Sequence, residues 1–126
     1  MFFNVLIFGL RAPNLTHAEY KSHYETIHVP LAQSLAGSAW PLSHTRYYAG
    51  GNATLAAISY PVDWDSMAVL SFRDETHAFT FQKVLGQPEA SKKIHDDEAL
   101  FMDFEKGSPR MVVVGMDVGV TYGAEA

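Results

Sequence analysis

The chain has 126 residues, a net charge of −5, 48% apolar and 18% charged residues, and no cysteine. The length suits one domain and the composition excludes a disordered chain, while the negative charge argues against nucleic acid or an anionic membrane surface as partner. Without cysteine there are no disulfides and no thiolate nucleophile; a reducing compartment is compatible, and the expectation is a cytoplasmic protein.

The opening "MFFNVLIFGLRAPN" lacks a basic n-region, and Arg11 and Pro13 cut it short, so it reads as neither signal peptide nor membrane span. Phe2 to Arg11 instead predicts a first strand. Apolar side chains occupy both parities (Phe2, Leu6, Phe8; Phe3, Val5, Ile7), as in a strand covered on both faces. Thr16 and Glu19 then fit a capping box that starts a helix. Tyr20, Tyr24, Ile27, Leu31 and Leu35 recur at helical spacing as its buried stripe. Pro30 predicts a kink or restart at Val29, and Gly37 suits the C-terminal cap.

Pro41 to Gly50 ("PLSHTRYYAG") predicts a second strand, followed by a long Gly/Asn/Pro-punctuated connection to Asp63 that holds a hairpin or a lid. "SMAVLSF" (Ser66 to Phe72) is the third strand. Asp74 caps a helix that runs to Gly86, and Pro88 opens a short helix ending near His95. Met111 to Val120 is the last strand, and residues 121–126 read as a loose tail after a single domain over 1–120. Strand, helix, strand, strand, helices, strand is the ferredoxin-like split β-α-β order of an α+β fold. Its sheet carries helices on one face only. Strands apolar on both faces therefore need a second cover, and the sheet of another copy is the simplest one.

Several constellations bear on chemistry. His28 borders the buried stripe four residues after Tyr24, within side-chain reach on a helix. An imidazole there can carry a proton in either direction, with the phenol as helper. The alternative is a structural histidine bonded to a carbonyl at a helix end. His44, Arg46 and Tyr48 share one parity of the second strand, able to polarise an enol or carboxylate; the alternative is a solvated or dimer-lining face, and the parity facing the helices stays open. The "HDDE" run, His95 to Glu98, does not converge on a helix and reads as a solvated helix end. His23 and His28 are five apart, which is wrong for one face of an α-helix, and H-E-x-x-H is missing, so no metal site is expected. His17, His23 and His77 read as exposed helix residues.

The strand-then-"RAPNLTHAEYKSHYETIHVPLA" opening, "PLSHTRYY", "WDSMAVLSF" and "DDEALFMD" resemble, in order and spacing, the EthD family of dimeric α/β-barrel proteins, particularly its fungal-type members. The resemblance implies a homodimer whose sheets close into a barrel, with a pocket between each sheet and its helices. It also strengthens His28 through the His-x-Pro ending. Asp97 falls, with Phe101 and Asp103, on the family's Asp-Glu-x-x-Phe-x-Asp pattern, where it orients a histidine or caps a backbone turn. The reading that follows is a cofactor-independent enzyme doing enol or enolate chemistry (decarboxylation, dehydration, isomerisation or cyclisation) on a small aromatic or polyketide-like carbonyl compound in secondary metabolism. His28 and Tyr24 are the catalytic candidates. Tyr20, His44, Arg46, Tyr48, His95 and Asp97 are the substrate-binding candidates. The alternatives are a ligand-binding or stress-related barrel without catalysis, and a cofactor-free monooxygenase.

Overall fold

The computed structural model describes residues 2–125. Strand β1 (Phe3–Gly9) leads to a long helical segment made of α1 (His17–His23), a π-helical turn (Tyr24–His28) and α2 (Val29–Ala36). Strand β2 (Ser43–Tyr48), a short exposed helix α3 (Ala53–Ala57), strand β3 (Ser66–Phe72), helices α4 (Glu75–Leu85) and α5 (Pro88–Phe101) and strand β4 (Arg110–Gly115) complete the chain. The sheet is four-stranded and antiparallel in the order β2-β3-β1-β4. This is the ferredoxin-like α+β arrangement that the element order predicts.

Local chemistry accounts for the boundaries. Thr16 accepts from the Glu19 amide, and the Glu19 carboxylate accepts from the Thr16 amide, so both halves of the capping box form. Asp74 caps α4 by accepting from the His77 amide. Gly37 closes α2 at φ 55°, a conformation that favours glycine. The connection after β2 holds the Asn52-capped helix α3 and no strand. β4 ends at Gly115 (φ 67°), short of the expected Val120, where the chain turns and Asp117 N–H reaches Val114 O.

Two helical expectations are revised. The restart expected at Val29 is there, but as a π turn from which the α-helix resumes at Val29. Its backbone stays right-handed (φ −61°, ψ −48°), and its N–H reaches back five residues to Tyr24 O. Within an α-helix the Pro30 ring would collide with the carbonyl four residues earlier, and its missing N–H would orphan that carbonyl. The π turn admits one extra residue just ahead of Pro30, and the chain stays helical through it. The extra residue also re-aims the buried stripe, which runs Tyr20, Tyr24, His28, Ala32, Ala36; Ile27 is left 51% exposed. The second correction concerns α5, which runs past His95 to Phe101. Its inward positions after Ile94 include Asp97 and Glu98, so the apolar period is interrupted just where the helix faces the core.

The helix-facing side of the sheet buries Val5, Ala68, Leu70 and Phe72 against Ala78, with Phe3, Ile7 and Phe81 packed around them. A second cluster, Tyr20, Tyr24, Phe101 and Met102, joins the long helical segment to α5. The opposite face carries Leu6 beside Val69 and Val112, and Phe8 beside Met67, with Phe8 also against Trp64 (ring centroids 5.8 Å). No helix covers it.

Small residues let the tyrosines approach. A Cβ on Gly9 would lie 2.2 Å from the Tyr20 hydroxyl and 2.7 Å from Ser66 Oγ, and those two hydroxyls share a buried hydrogen bond of 2.7 Å. Gly9→Ala is therefore expected to break that bond and lower unfolding stability by about 1–3 kcal/mol, read by urea titration; an unchanged midpoint would refute the close approach.

Candidate functional site

The π turn brings His23 and His28 to the same side of the helix, although they are five residues apart. Both reach one carboxylate. His28 Nδ1 lies 2.8 Å from Asp97 Oδ2, and His23 Nε2 lies 2.9 Å from Asp97 Oδ1. An ionised carboxylate only accepts, so each imidazole donates an N–H to its own oxygen. Phe101, one turn further along α5, stacks on His23 (4.5 Å, 19°) and packs under His28 (5.0 Å). Asp97 and His28 are both 8% exposed. The donation from Nδ1 fixes the tautomer of neutral His28 and leaves Nε2 as a lone-pair acceptor. Nε2 has no hydrogen-bond partner among the described residues. Burial pulls the His28 pKa below its ordinary value; the hydrogen bond and charge of Asp97 oppose that shift, and His23 adds to it. The neutral form of the ring is thereby favoured.

Tyr24 meets His28 edge-on (5.6 Å, 88°), a packing contact without a hydrogen bond. The partner of His28 is Asp97. Tyr24 also packs against His44 (6.4 Å) and Tyr48 (6.0 Å), and burial pushes its pKa up, so its hydroxyl stays protonated. Tyr20 is bound to Ser66, and its ring meets Tyr24, Tyr48 and Phe101.

The open question of strand parity has a definite answer. His44, Arg46 and Tyr48 stand opposite Leu70, Ala68 and Ser66, the helix-facing residues of β3, while Thr45 and Tyr47 face outward. Arg46 is not free to bind a ligand. Its Nη2 donates to Glu25 Oε1 (2.9 Å), its Nε donates to Glu25 Oε2 (2.5 Å), and the Tyr48 hydroxyl donates to the same Oε2. This holds the Glu25 carboxyl down at about 2, with the Arg46 hydrogen bond as the main cause. His44 packs against Trp40 (5.4 Å), and its buried Nδ1 has no partner. Burial, then the Arg46 and His28 charges, lower its pKa to about 4.

His95 stays outside this group. It is exposed, and its Nδ1 lies 2.7 Å from the Ser91 carbonyl. Two other histidine expectations are overturned. His23 is half-buried on Asp97, and His77 is buried, with Nδ1 accepting from the Arg73 amide and Nε2 facing the Ala39 and Trp40 carbonyls. The residues that sequence reasoning missed are His23, Glu25, Glu98 and Ser66. Only His23 left a signal, and that signal depended on a π turn.

Among the described residues no group of three or more His, Asp or Glu side chains is arranged to hold a metal ion. The two imidazoles take opposite oxygens of Asp97 and do not converge. A cavity of about 320 Å³ opens on the uncovered sheet face, lined by Phe8, Leu10, Asp63, Trp64, Arg110 and Val112. Another, of about 300 Å³, lies beside Ala36, Arg73, His77 and Val84. His28 lines neither. Among the described residues no helix is long and apolar enough to cross a membrane.

The EthD domain model matches residues 12–105, a span that includes the whole histidine-carboxylate group. The chain belongs to the EthD domain family. A solved structure of an EthD family protein from Bacillus halodurans C-125 is similar to it, at a TM-score of 0.52 and 14% identity over 89% of this chain and 97% of that one. At that identity the likeness bears on the fold alone. Among curated proteins none matches.

Glu98, 7% exposed beside Asp97, makes no side-chain hydrogen bond among the described residues. Burial raises its pKa to about 7, with the Asp97 charge adding to the shift and His95 opposing it. A carboxyl whose folded pKa lies above its unfolded value contributes stability that is full below about 4.5 and gone above about 7. Glu98→Gln, which does not titrate, should therefore gain on the wild type as pH rises through that window, by on the order of 3 kcal/mol. Urea unfolding of both proteins at pH 4.5 and pH 8 checks this; a difference that stays constant with pH would contradict it.

Proposed function

We propose that this EthD protein is a cofactor-independent enzyme that moves a proton on a small, enolisable aromatic or polyketide-like carbonyl compound, with His28 as the proton carrier. The observation that carries this reading is the anchored imidazole: Asp97 holds Nδ1, and Nε2 is left neutral and without a protein partner. An oriented, neutral imidazole backed by a carboxylate is the arrangement a general base needs. In the step proposed, Nε2 takes the proton from carbon α to the carbonyl. The C–H pair becomes the C=C bond of the enolate, and the carbonyl π pair moves onto oxygen. Return of a proton from Nε2, after exchange with solvent, to carbon restores the ketone, return to oxygen completes a keto–enol isomerisation, and the enolate so formed can expel a β-hydroxyl as water, which takes up the proton from Nε2, or attack a second carbonyl in a cyclisation. Asp97 stabilises the transient imidazolium, and His23 keeps Asp97 in place. Tyr24 supports the ring by edge contact. The exposed Ile27 next to His28 and the Trp40 ring on His44 give the site an apolar rim.

A homodimer belongs to the same proposal. The uncovered sheet face, with Leu6, Phe8, Met67, Val69 and Val112, supports it, because a second sheet would remove that apolar surface from water. The resemblance of the "PLSHTRYY" and "WDSMAVLSF" segments supports placement among the fungal-type members, and a role in secondary metabolism belongs to the same proposal. Sedimentation velocity at micromolar concentration is expected to give the mass of a dimer; a monomer would refute this part.

The catalytic part is tested by deuterium exchange at the α-carbon of 2-tetralone in D₂O, followed by NMR. Exchange should depend on the protein and survive a chelator. It should consume no oxygen, which separates it from a monooxygenase, and it should fall as pH drops through a value below about 6.5, where His28 becomes protonated. His28→Gln should lower the rate by about 10²-fold or more with the fold intact by circular dichroism. Asp97→Asn should lower it by about 10-fold or more by releasing the tautomer. Wild-type exchange in a folded His28 variant would sink the mechanism and favour a barrel that only binds.

A further inference from the structure

Resting on that reading, we infer that the site selects an electrically neutral carbonyl compound over a carboxylate, with His44 as the neutral donor to the carbonyl oxygen. The argument begins with the charges that surround His28 and His44. Arg46, the one guanidinium on the helix-facing side of β2, has Nε and Nη2 on the two oxygens of Glu25, and its Nη1 donates to the His44 carbonyl (2.9 Å). Three of its five N–H donors are thus used inside the protein, and its charge is matched by that of Glu25. Lys21 is exposed and holds its ammonium over the Tyr48 ring, 5.4 Å from the centroid. His23 is taken by Asp97. The remaining full charge on this side is a carboxylate, Asp97 between the imidazoles, with Glu98, raised to about 7, beside it. A bound carboxylate would meet an Arg46 already matched by Glu25, a Lys21 held out on the exposed side of Tyr48, and a buried anion, Asp97, a net cost in free energy.

His44 supplies the complementary half. Its Nδ1 is buried and lacks a partner. An unpaired lone pair is less costly to bury than an unpaired N–H, so the proton sits on Nε2. Because the ring remains uncharged well below neutrality, it donates as imidazole and not as imidazolium. His28 Nε2 accepts and His44 Nε2–H donates, both beside Tyr24. That pairing matches an α-C–H and a carbonyl oxygen of one neutral molecule.

The test uses two probes on one skeleton, 2-tetralone and 1,2,3,4-tetrahydro-2-naphthoate, titrated into the full chain carrying Trp64→Phe. Trp40 is then the sole tryptophan and reports from beside His44. Imidazole resonances are followed in parallel by NMR. The expected result is that the ketone binds at least tenfold more tightly than the carboxylate. Glu25→Gln, which frees Arg46, should reverse or erase that preference by improving carboxylate binding about tenfold or more. His44→Phe should weaken ketone binding severalfold without improving the carboxylate. Should Glu25→Gln fail to fold, Glu25→Asp, one methylene too short to hold both Nε and Nη2 of Arg46, gives the same direction with a smaller shift. Equal or tighter carboxylate binding by the unaltered site overturns this inference and leaves the role of His28 standing. If neither probe moves Trp40 or the imidazole resonances, the inference falls together with the reading beneath it.

Discussion

One carboxylate organises this half of the protein. Asp97 is buried, and a buried carboxylate is tolerable only when its oxygens are satisfied. Here each oxygen accepts an N–H from a different imidazole of the helical segment that faces α5. The bridge joins elements far apart in sequence and holds the His23 ring flat, and the His28 ring tilted, against Phe101. It exists only because the helix takes a π turn over Tyr24–His28, which places His23 and His28 together. Pro30 lies one residue past the first residue of α2. The backbone feature that accommodates a proline is thus also the one that assembles the site, in keeping with the frequent occurrence of π turns at functional positions.

Electrostatics on the helix-facing side of β2 follow from a second closed group. Glu25 takes up the Arg46 guanidinium from two directions and the Tyr48 hydroxyl as well. Had Glu25 been apolar, Arg46 would be a free anion-binding group beside two histidines. As built, the imidazoles are neutral and the unpaired charge nearby is negative. Burial raises the pKa of Glu98 and lowers those of His28 and His44, opposite signs from one cause, because loss of water disfavours whichever form is charged. The result is a group of proton carriers that are uncharged, or close to it, at neutral pH.

The sheet divides the remaining surface. Gly9, Ser66 and Ala68 are small residues on the helix-facing side, and they make room for Tyr20 and the rings around it. Large apolar side chains take the opposite positions, where no helix lies among the described residues. Residues alternate across a strand, so the same few strands carry a finished core on one face and an unfinished one on the other.

The order of elements, the capping box at Thr16 and Glu19, the Asp74 cap, the Gly37 terminus and the limits of Ser66–Phe72 were all legible in the chain. They rest on contacts within a few residues, or on an alternation that one strand displays by itself. His28 and Asp97 were each marked as candidates, and the resemblance offered Asp97 as the orienter of a histidine, but which histidine was not legible, because hydrogen bonds between residues 69 positions apart leave no local trace. The spacing of His23 and His28 argued against a shared face as long as an α-helix was assumed. The length of α5 was hidden for a related reason, since Asp97 and Glu98 occupy inward positions that an apolar count treats as outward. Which parity of β2 faces the helices, the capture of Arg46 by Glu25, and the burial of His77 were decided by tertiary structure alone. Each depends on what another element places opposite the residue, and residue type does not carry that information.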